Sequence, residues 1–214
     1  MSAAHACAKA VFDRVASLAG IVMLSPLLLV LAVLVKAGDG GRVLFSQERV
    51  GRGGRPFRIY KFRSMRDSPA EELQVTASGD SRITPVGKFL RRTKLDELPQ
   101  LFNVLRGEMS LVGPRPEVPR YVRLYTEEQR EVLAVRPGLT DWATLQYRNE
   151  EALLAGRENP EEFYIGEIMP EKLRLSREYL ERATFFSDFG ILWLTFLRIA
   201  GIGESGGGKG AGSL

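Results

Sequence analysis

Residues 15–35 carry no charge at all, a run of 21 positions. As a straight helix the run reaches about 30 Å, the thickness of a bilayer core. It is too long for a signal-peptide core, and no small-residue cleavage site follows it. Pro26, preceded by Ser25, falls at the midpoint and removes one helical hydrogen bond; the Ser25 hydroxyl is placed to answer the freed carbonyl. Positive charge flanks both ends, with Lys9 and Arg14 before the run and Lys36, Arg42, Arg49 and Arg52 after it. The positive-inside rule then puts both flanks in the cytoplasm. Two half-helices of about 15 Å, dipping into one leaflet and returning at Ser25-Pro26, satisfy that rule; a kinked span is the other reading.

Beyond this segment the pattern shortens. Residues 42–65 predict a two-stranded unit, with Val43, Leu44 and Phe45 leading in, Gly51, Gly53 and Gly54 turning the chain, and an aromatic, basic strand at 57–63. Residues 67–81 are polar and read as a loop. Thr84 followed by Pro85 opens a helix with Val86, Phe89 and Leu90 as its buried stripe. The next helix starts near 93–96, carries Leu98, Leu101, Phe102 and Leu105 at helical spacing, and stops at Gly107. Gly113-Pro114-Arg115-Pro116 is a stiff loop, since each proline restrains its predecessor. Residues 121–135 read as a helix, 136–140 as a turn, and 161–182 as an acidic helix with a solvated face. Residues 185–199 are charged only at Asp188 and Arg198 and suit a core or interfacial helix. The expected fold class is α+β and mostly helical, in three parts: a membrane segment at 1–36, a catalytic domain at 37–200, and a disordered glycine-rich tail at 201–214.

Composition narrows the chemistry. The chain has 214 residues and 44% hydrophobic content, enough for one compact domain with appendages. Its single cysteine, Cys7, and single histidine, His5, both precede the apolar run. Disulfide frameworks, cysteine- or histidine-rich metal sites and a Ser-His-Asp triad are therefore excluded from the body. An enzyme built on this chain must use a carboxylate, lysine, tyrosine or hydroxyl. The net charge of +4 suggests anionic partners, and its distribution is uneven. Residues 82–123 hold nine Lys/Arg against four Asp/Glu, whereas 150–181 hold nine acids against four bases. Anionic lipid or a phosphorylated substrate suits the basic middle. Nucleic acid is the weakest candidate, with no recognition helix, RNP-like strand or zinc finger to accompany the charge.

The chemistry gathers in TKLDELPQLFNVLRGEMSLVGPRP, residues 93–116. Asp96 and Glu97 adjoin at a helix start, with Arg91, Arg92 and Lys94 before them and Arg115 after. Two readings stand. The pair can complement the positive end of a helix dipole. Alternatively it serves phosphate chemistry, one carboxylate attacking or activating, the other holding a divalent cation, and the arginines neutralising phosphate oxygens. The helix terminus and the nearby bases predict a depressed pKa for both acids.

Together these segments resemble the bacterial sugar transferases, the monotopic phosphoglycosyl transferases that begin lipid-linked glycan assembly. The resemblance covers about residues 9–198. It rests on Gln47-Glu48-Arg49-Val50-Gly51 with 57–65, on Leu95-Asp96-Glu97-Leu98-Pro99-Gln100, and on the stretch from Gly107 through Pro116. It implies transfer of a sugar-1-phosphate from a UDP-sugar to undecaprenyl phosphate, with Mg²⁺ and release of UMP, in exopolysaccharide, O-antigen or glycoprotein glycan assembly. By the same resemblance Asp96 attacks the β-phosphate to give a covalent phosphosugar intermediate, Glu97 with Asp96 binds the metal, and Arg91 and Arg115 hold phosphate oxygens. Lys61 and Arg63 join them as phosphate-binding candidates, and Thr140, Arg148 and Asn149 as further substrate contacts. Ser25-Pro26 matches the family's re-entrant break and favours the hairpin. The implied location is the cytoplasmic face of the bacterial inner membrane, among its lipids and without nucleic acid; a homodimer is left open. Three departures stand out: Ala10 follows Lys9 where the family has Lys-Arg, Asp141 replaces a glycine, and Gln146-Tyr147 precede Arg148-Asn149 where many members carry Asn-Gly. They suggest a missing headgroup contact and altered specificity. The multi-span extension of larger relatives is absent, so a catalytic core alone is expected. A membrane-tethered adaptor leaves Asp96-Glu97 unexplained, and a metal-dependent phosphodiesterase usually gathers more carboxylates or histidines.

Overall fold

A computed structural model describes residues 3–66, 80–199 and 201–202. Most of the polar loop expected at 67–81 and most of the tail expected at 201–214 lie outside the described residues. The described chain is mostly helical, with small sheets.

The apolar segment forms one continuous helix, α1 (Ala3–Asp39), with Pro26 inside it. Helical hydrogen bonding thus runs through the point where two half-helices were expected to meet. The local chemistry at that point is as the sequence suggested. Pro26 cannot donate to the Val22 carbonyl, and the Ser25 hydroxyl donates to it instead at 2.8 Å. One stripe of α1 is packed against the body. Phe12, Ala16, Ile21 and Leu24 pack against a core cluster that includes Leu101 and Val104, and Leu31 and Val35 share a second cluster with Phe62 and Leu90. The remaining faces leave Val15, Val22, Met23, Leu29 and Val33 more than half exposed. By length and composition α1 is able to cross a membrane.

Both ends of α1 are tied to the same body. Near its start Lys9 pairs with Asp188 at 2.5 Å, and the buried Asp13 accepts from the Ser110 hydroxyl at 2.7 Å. At its last residue Asp39 pairs with Arg63.

Strands β1 (Leu44–Val50) and β2 (Pro56–Phe62) form the expected antiparallel hairpin, in register from Leu44 opposite Phe62 to Val50 opposite Pro56. Gly53 and Gly54 turn it with φ of 67° and 76°, the left-handed region that glycine enters without steric cost. Helix α2 (Pro85–Thr93) is capped by the Thr84 hydroxyl, which accepts from the Gly87 amide. Leu90 is fully buried, but Phe89, expected in the same stripe, is 45% exposed. Helix α3 (Gln100–Arg106) likewise buries Leu101 and Val104 with polar Gln100 and Asn103, and leaves Phe102 half exposed. On both helices tertiary packing selects a narrower stripe than hydrophobicity alone suggests.

A second sheet was not foreseen. Strands β3 (Ser110–Val112) and β4 (Gly138–Thr140) pair in parallel, joining the stretches read as the approach to a stiff loop and as a turn. A Cβ on Gly138 would lie 2.2 Å or less from the Gly113 backbone, so this close approach requires glycine. Between the strands, the helix expected at 121–135 is broken. Helix α4 (Pro119–Val122) ends early, and α5 (Glu127–Arg130) restarts from a reciprocal cap between Thr126 and Gln129. The chain continues through α6 (Trp142–Gln146), α7 (Glu150–Leu154) and α8 (Pro160–Phe163). A π-helical turn at Tyr164–Ile168 leads into α9 (Met169–Arg182), where Pro170 lacks the amide that an unbroken helix needs. The helix read at 161–182 is thus three pieces, and it is not a solvated face only: Tyr164, Ile168, Met169, Leu173 and Tyr179 are buried. Helix α10 (Phe185–Ile199) buries Asp188 and Ile191 and exposes Phe186, Trp193 and Phe196.

Candidate active site

Three short elements bring the carboxylate pair to one groove. Helix α2 ends at Lys94, whose φ of 58° is the only positive value on a non-glycine residue among the described residues. That left-handed step reverses the chain into a 3-10 turn, Leu95–Glu97, ahead of α3. Asp96 and Glu97 therefore lie on the turn and not in the first turn of α3. Asn103, fully buried on α3, accepts from the Tyr60 amide at 3.2 Å and donates to the Arg58 carbonyl at 2.7 Å. This clamp fixes β2, and with it Lys61, against the acidic turn. Arg115 follows β3, its backbone held between two prolines.

The two acids are treated differently. Glu97 accepts from Lys61 at 2.9 Å and from Arg115 through both guanidinium nitrogens, a bidentate pair. Burial opposes its ionisation, but the Arg115 and Lys61 charges hold its carboxyl well below the usual range. Asp96 is 7% exposed, and its Oδ1 is buried with no hydrogen-bond partner. Burial first, and the Glu97 charge second, push its carboxyl up to about 6. The expectation of two depressed acids thus applies to Glu97 alone. At Asp96 desolvation outweighs the surrounding bases. Burial also lowers the Lys61 ammonium against the support of Glu97.

Asp96 and Glu97 open into a groove of about 1040 Å³. Lys61, Arg63, Arg91, Arg115, Thr140 and Arg148 also line it, so the structure gathers the candidate residues from distant parts of the chain. Several are already engaged. Arg91 donates to Glu151 at 2.5 and 3.2 Å, Arg63 pairs with Asp39, Arg148 donates to the Arg198 carbonyl at 2.6 Å, and Thr140 shares a hydrogen bond with Thr195. Asn149 is exposed and stands outside the lining, and Ser25 and Pro26 lie on an exposed face of α1. Asp141 also stands apart from the groove. Fully buried, it caps α6 by accepting from the Thr144 amide at 2.7 Å and takes the Ser176 hydroxyl at 2.9 Å. Lys9 is spent inward on Asp188.

Sequence reasoning missed Glu117, Tyr164, Glu150, Glu151 and Lys172, all in the lining. Glu117 accepts from Arg49 at 3.0 Å, the Val118 amide at 2.9 Å and the Tyr164 hydroxyl, bracing the segment just after Arg115-Pro116. Its position beside that motif was the one available signal. Lys172 sits on a helix read as solvated, and nothing local marked it.

The donor set suits a hard divalent cation. Among the described residues there is no cluster of three or more histidine, cysteine, aspartate or glutamate side chains. The groove offers two adjacent carboxylates, one with an orphaned buried oxygen. Mg²⁺ is usually held by one or two carboxylates, with water and substrate phosphate completing its shell.

The family model for bacterial sugar transferases matches residues 4–201. The chain belongs to this family. Among its relatives is a UDP-glucose:undecaprenyl-phosphate glucose-1-phosphate transferase of Xanthomonas campestris pv. campestris, 38% identical over 91% of this chain and 39% of that protein. A UDP-N-acetylgalactosamine-undecaprenyl-phosphate N-acetylgalactosaminephosphotransferase of Aeromonas hydrophila is 47% identical over 65% of this chain and 34% of its own length. A third, the uncharacterized sugar transferase EpsL of Bacillus subtilis, is 35% identical over 89% of this chain and 86% of its own. The chain spans between a third and two fifths of the length of the first two relatives.

Proposed function

We propose that the chain is a phosphoglycosyl transferase that moves a sugar-1-phosphate from a UDP-sugar to undecaprenyl phosphate, releasing UMP. The observation that carries this reading is Asp96. A buried carboxylate with one unpartnered oxygen stands beside a Glu97 that two cations clamp, in a groove lined by Arg91 and Arg115. An ionised Asp96 attacks the β-phosphorus, the bond from that phosphorus to the oxygen bridging the α-phosphate breaks, and the electron pair leaves with UMP. An oxygen of undecaprenyl phosphate then attacks the same phosphorus, and the Asp96 carboxylate is the leaving group. Arg115, on its stiff support, neutralises charge developing on the phosphate oxygens. Asp96 and Glu97 would hold Mg²⁺, which when bound supplies further positive charge at those oxygens. Arg91 releases Glu151 to take a phosphate oxygen.

The membrane geometry that best suits this chemistry is monotopic. Helix α1 is about 55 Å long, yet both its ends are bound by ion pairs to the same charged body. A span would carry one end, and the charged surface attached to it, through hydrocarbon. A shallow dip into one leaflet leaves Lys9, Arg14 and Lys36 on the cytoplasmic side. The exposed aromatic face of α10 then rests at the interface of the inner membrane. This division keeps residues 1–36 as the membrane element and 37–200 as the catalytic domain.

The test is a UMP-release assay across a panel of UDP-sugars with undecaprenyl phosphate in detergent. Release with at least one sugar, dependent on Mg²⁺ and acceptor, is expected. Absence of release with every sugar contradicts the reading.

A further inference from the structure

The groove contains a cation that the mechanism above does not use. Lys172, on α9, lines the same groove as Asp96 and is 14% exposed. Its ammonium donates to Glu150 at 2.7 Å and lies 5.2 Å from the centre of the Tyr164 ring. Tyr164 is in turn held by Glu117, which follows directly on Arg115-Pro116. The Lys172 charge is therefore built into the wall that carries Arg115, and it is not a loose surface group.

Its partner belongs to a pattern. Glu150 and Glu151 are consecutive on the first turn of α7, whose Leu154 is buried in the core. Glu151 accepts from Arg91 and Glu150 from Lys172, and all four residues line the groove. Glu150 also lies close enough to Arg115 to raise the pKa of its guanidinium, although Glu97 has the larger effect. The Glu150 carboxylate thus lies in the fields of Lys172 and Arg115 together. A cation of the proposed phosphate-processing groove is thus held by a carboxylate of the protein itself.

We infer that Lys172 is a ligand for substrate phosphate in this groove and that Glu150 occupies its place until substrate arrives. The inference rests on the transferase reading and extends it to a residue that neither motif nor family resemblance marked. Two phosphates share the chemistry, the diphosphate of the donor and the monoester of the lipid acceptor.

The full chain in detergent separates them. UDP is titrated calorimetrically into the wild-type, Lys172→Gln, Lys172→Arg and Glu150→Gln proteins, and the KM for undecaprenyl phosphate is measured for the same set. Loss of one charge-assisted contact should weaken one constant by about tenfold. A weaker UDP affinity assigns the donor phosphate; an elevated acceptor KM with unchanged UDP affinity assigns the acceptor. Lys172→Arg should recover most of the loss. Glu150→Gln should shift the same constant in the opposite direction, because it removes a competitor, whereas a purely structural ion pair would make both variants worse. The inference is overturned if both variants change in the same direction. It is equally overturned if neither constant moves more than twofold while only the melting temperature falls. If the wild-type protein releases no UMP from any UDP-sugar, the transferase reading falls separately. The UDP titration then still decides Lys172, and an unchanged affinity overturns its role.

Discussion

At the scale of single residues, the pair Asp96-Glu97 shows how adjacency in sequence permits opposite electrostatics. Glu97 has its charge fully answered, and Asp96 does not. A carboxyl whose folded pKa is raised adds stability below its unfolded pKa, near 4, and loses that contribution as pH rises through its folded value of about 6. Asp96→Asn should therefore melt at a higher temperature than the wild type at pH 7.5, with the advantage gone below about pH 4. Thermal scans across this range check the sign. Arg115→Ala should lower the transfer rate by about 10²–10³, while Arg174→Ala should change it little. Arg174 is half exposed on α9 and, among the described residues, pairs with its helix neighbours Glu171 and Glu178. Equal effects from the two substitutions would show that Arg115 is ordinary surface charge.

The acidic pair and Arg115 were legible because they sit in one short stretch with proline restraints that limit where the side chains can go. The opposite pKa directions were not, since they follow from burial, and the acidic turn that carries Asp96 is packed by β2, a segment distant in sequence. Lys172 was illegible for the same reason: nothing within α9 says that the groove lies against it.

At the scale of elements, the hairpin β1–β2 and the helices α2 and α10 follow from local signals, respectively a glycine turn, a Thr-Pro start and a nearly uncharged run. The elements that departed did so where distant segments meet. The parallel pair β3–β4 joins residues almost 30 apart, and three-residue strands have no periodicity to read. The breaks after α4 and before α9 come from a cap at Thr126 and from Pro170. Helix α1 is the element with most at stake. Ser25→Ala should leave the Val22 carbonyl unanswered, whereas Pro26→Ala restores a backbone donor. Ser25→Ala should therefore reduce activity and membrane-bound yield when Pro26 is present and do little in a Pro26→Ala background. Equal effects of Ser25→Ala in both backgrounds would separate the serine from the proline.

At the scale of the whole molecule, one groove collects groups from β2, α2, the acidic turn, the loop after β3, α7 and α9. The body that carries them is bound to α1 at both ends of that helix. On the proposed reading topology and chemistry are one question, because a monotopic anchor would keep the groove at the level of the acceptor's phosphate. Cysteines introduced at Ser2, in a Cys7→Ser background, and at Gly40 should both react from the cytoplasmic side of sealed, oriented vesicles. Protection of one of them until detergent is added would indicate a span. That outcome would leave the carboxylate chemistry standing, since it rests on Asp96, Glu97 and Arg115.

The central claim is that Asp96 is the nucleophile, and intact mass spectrometry tests it most directly. Wild-type protein incubated with Mg²⁺ and its UDP-sugar, without acceptor, should gain the mass of one sugar phosphate, located by peptide mapping to Asp96 and lost on addition of undecaprenyl phosphate. The Asp96→Asn protein, folded and membrane-bound, should gain nothing. A wild-type enzyme that releases UMP with acceptor present yet never carries the adduct, or an Asp96→Asn variant that turns over at the wild-type rate, would contradict the account.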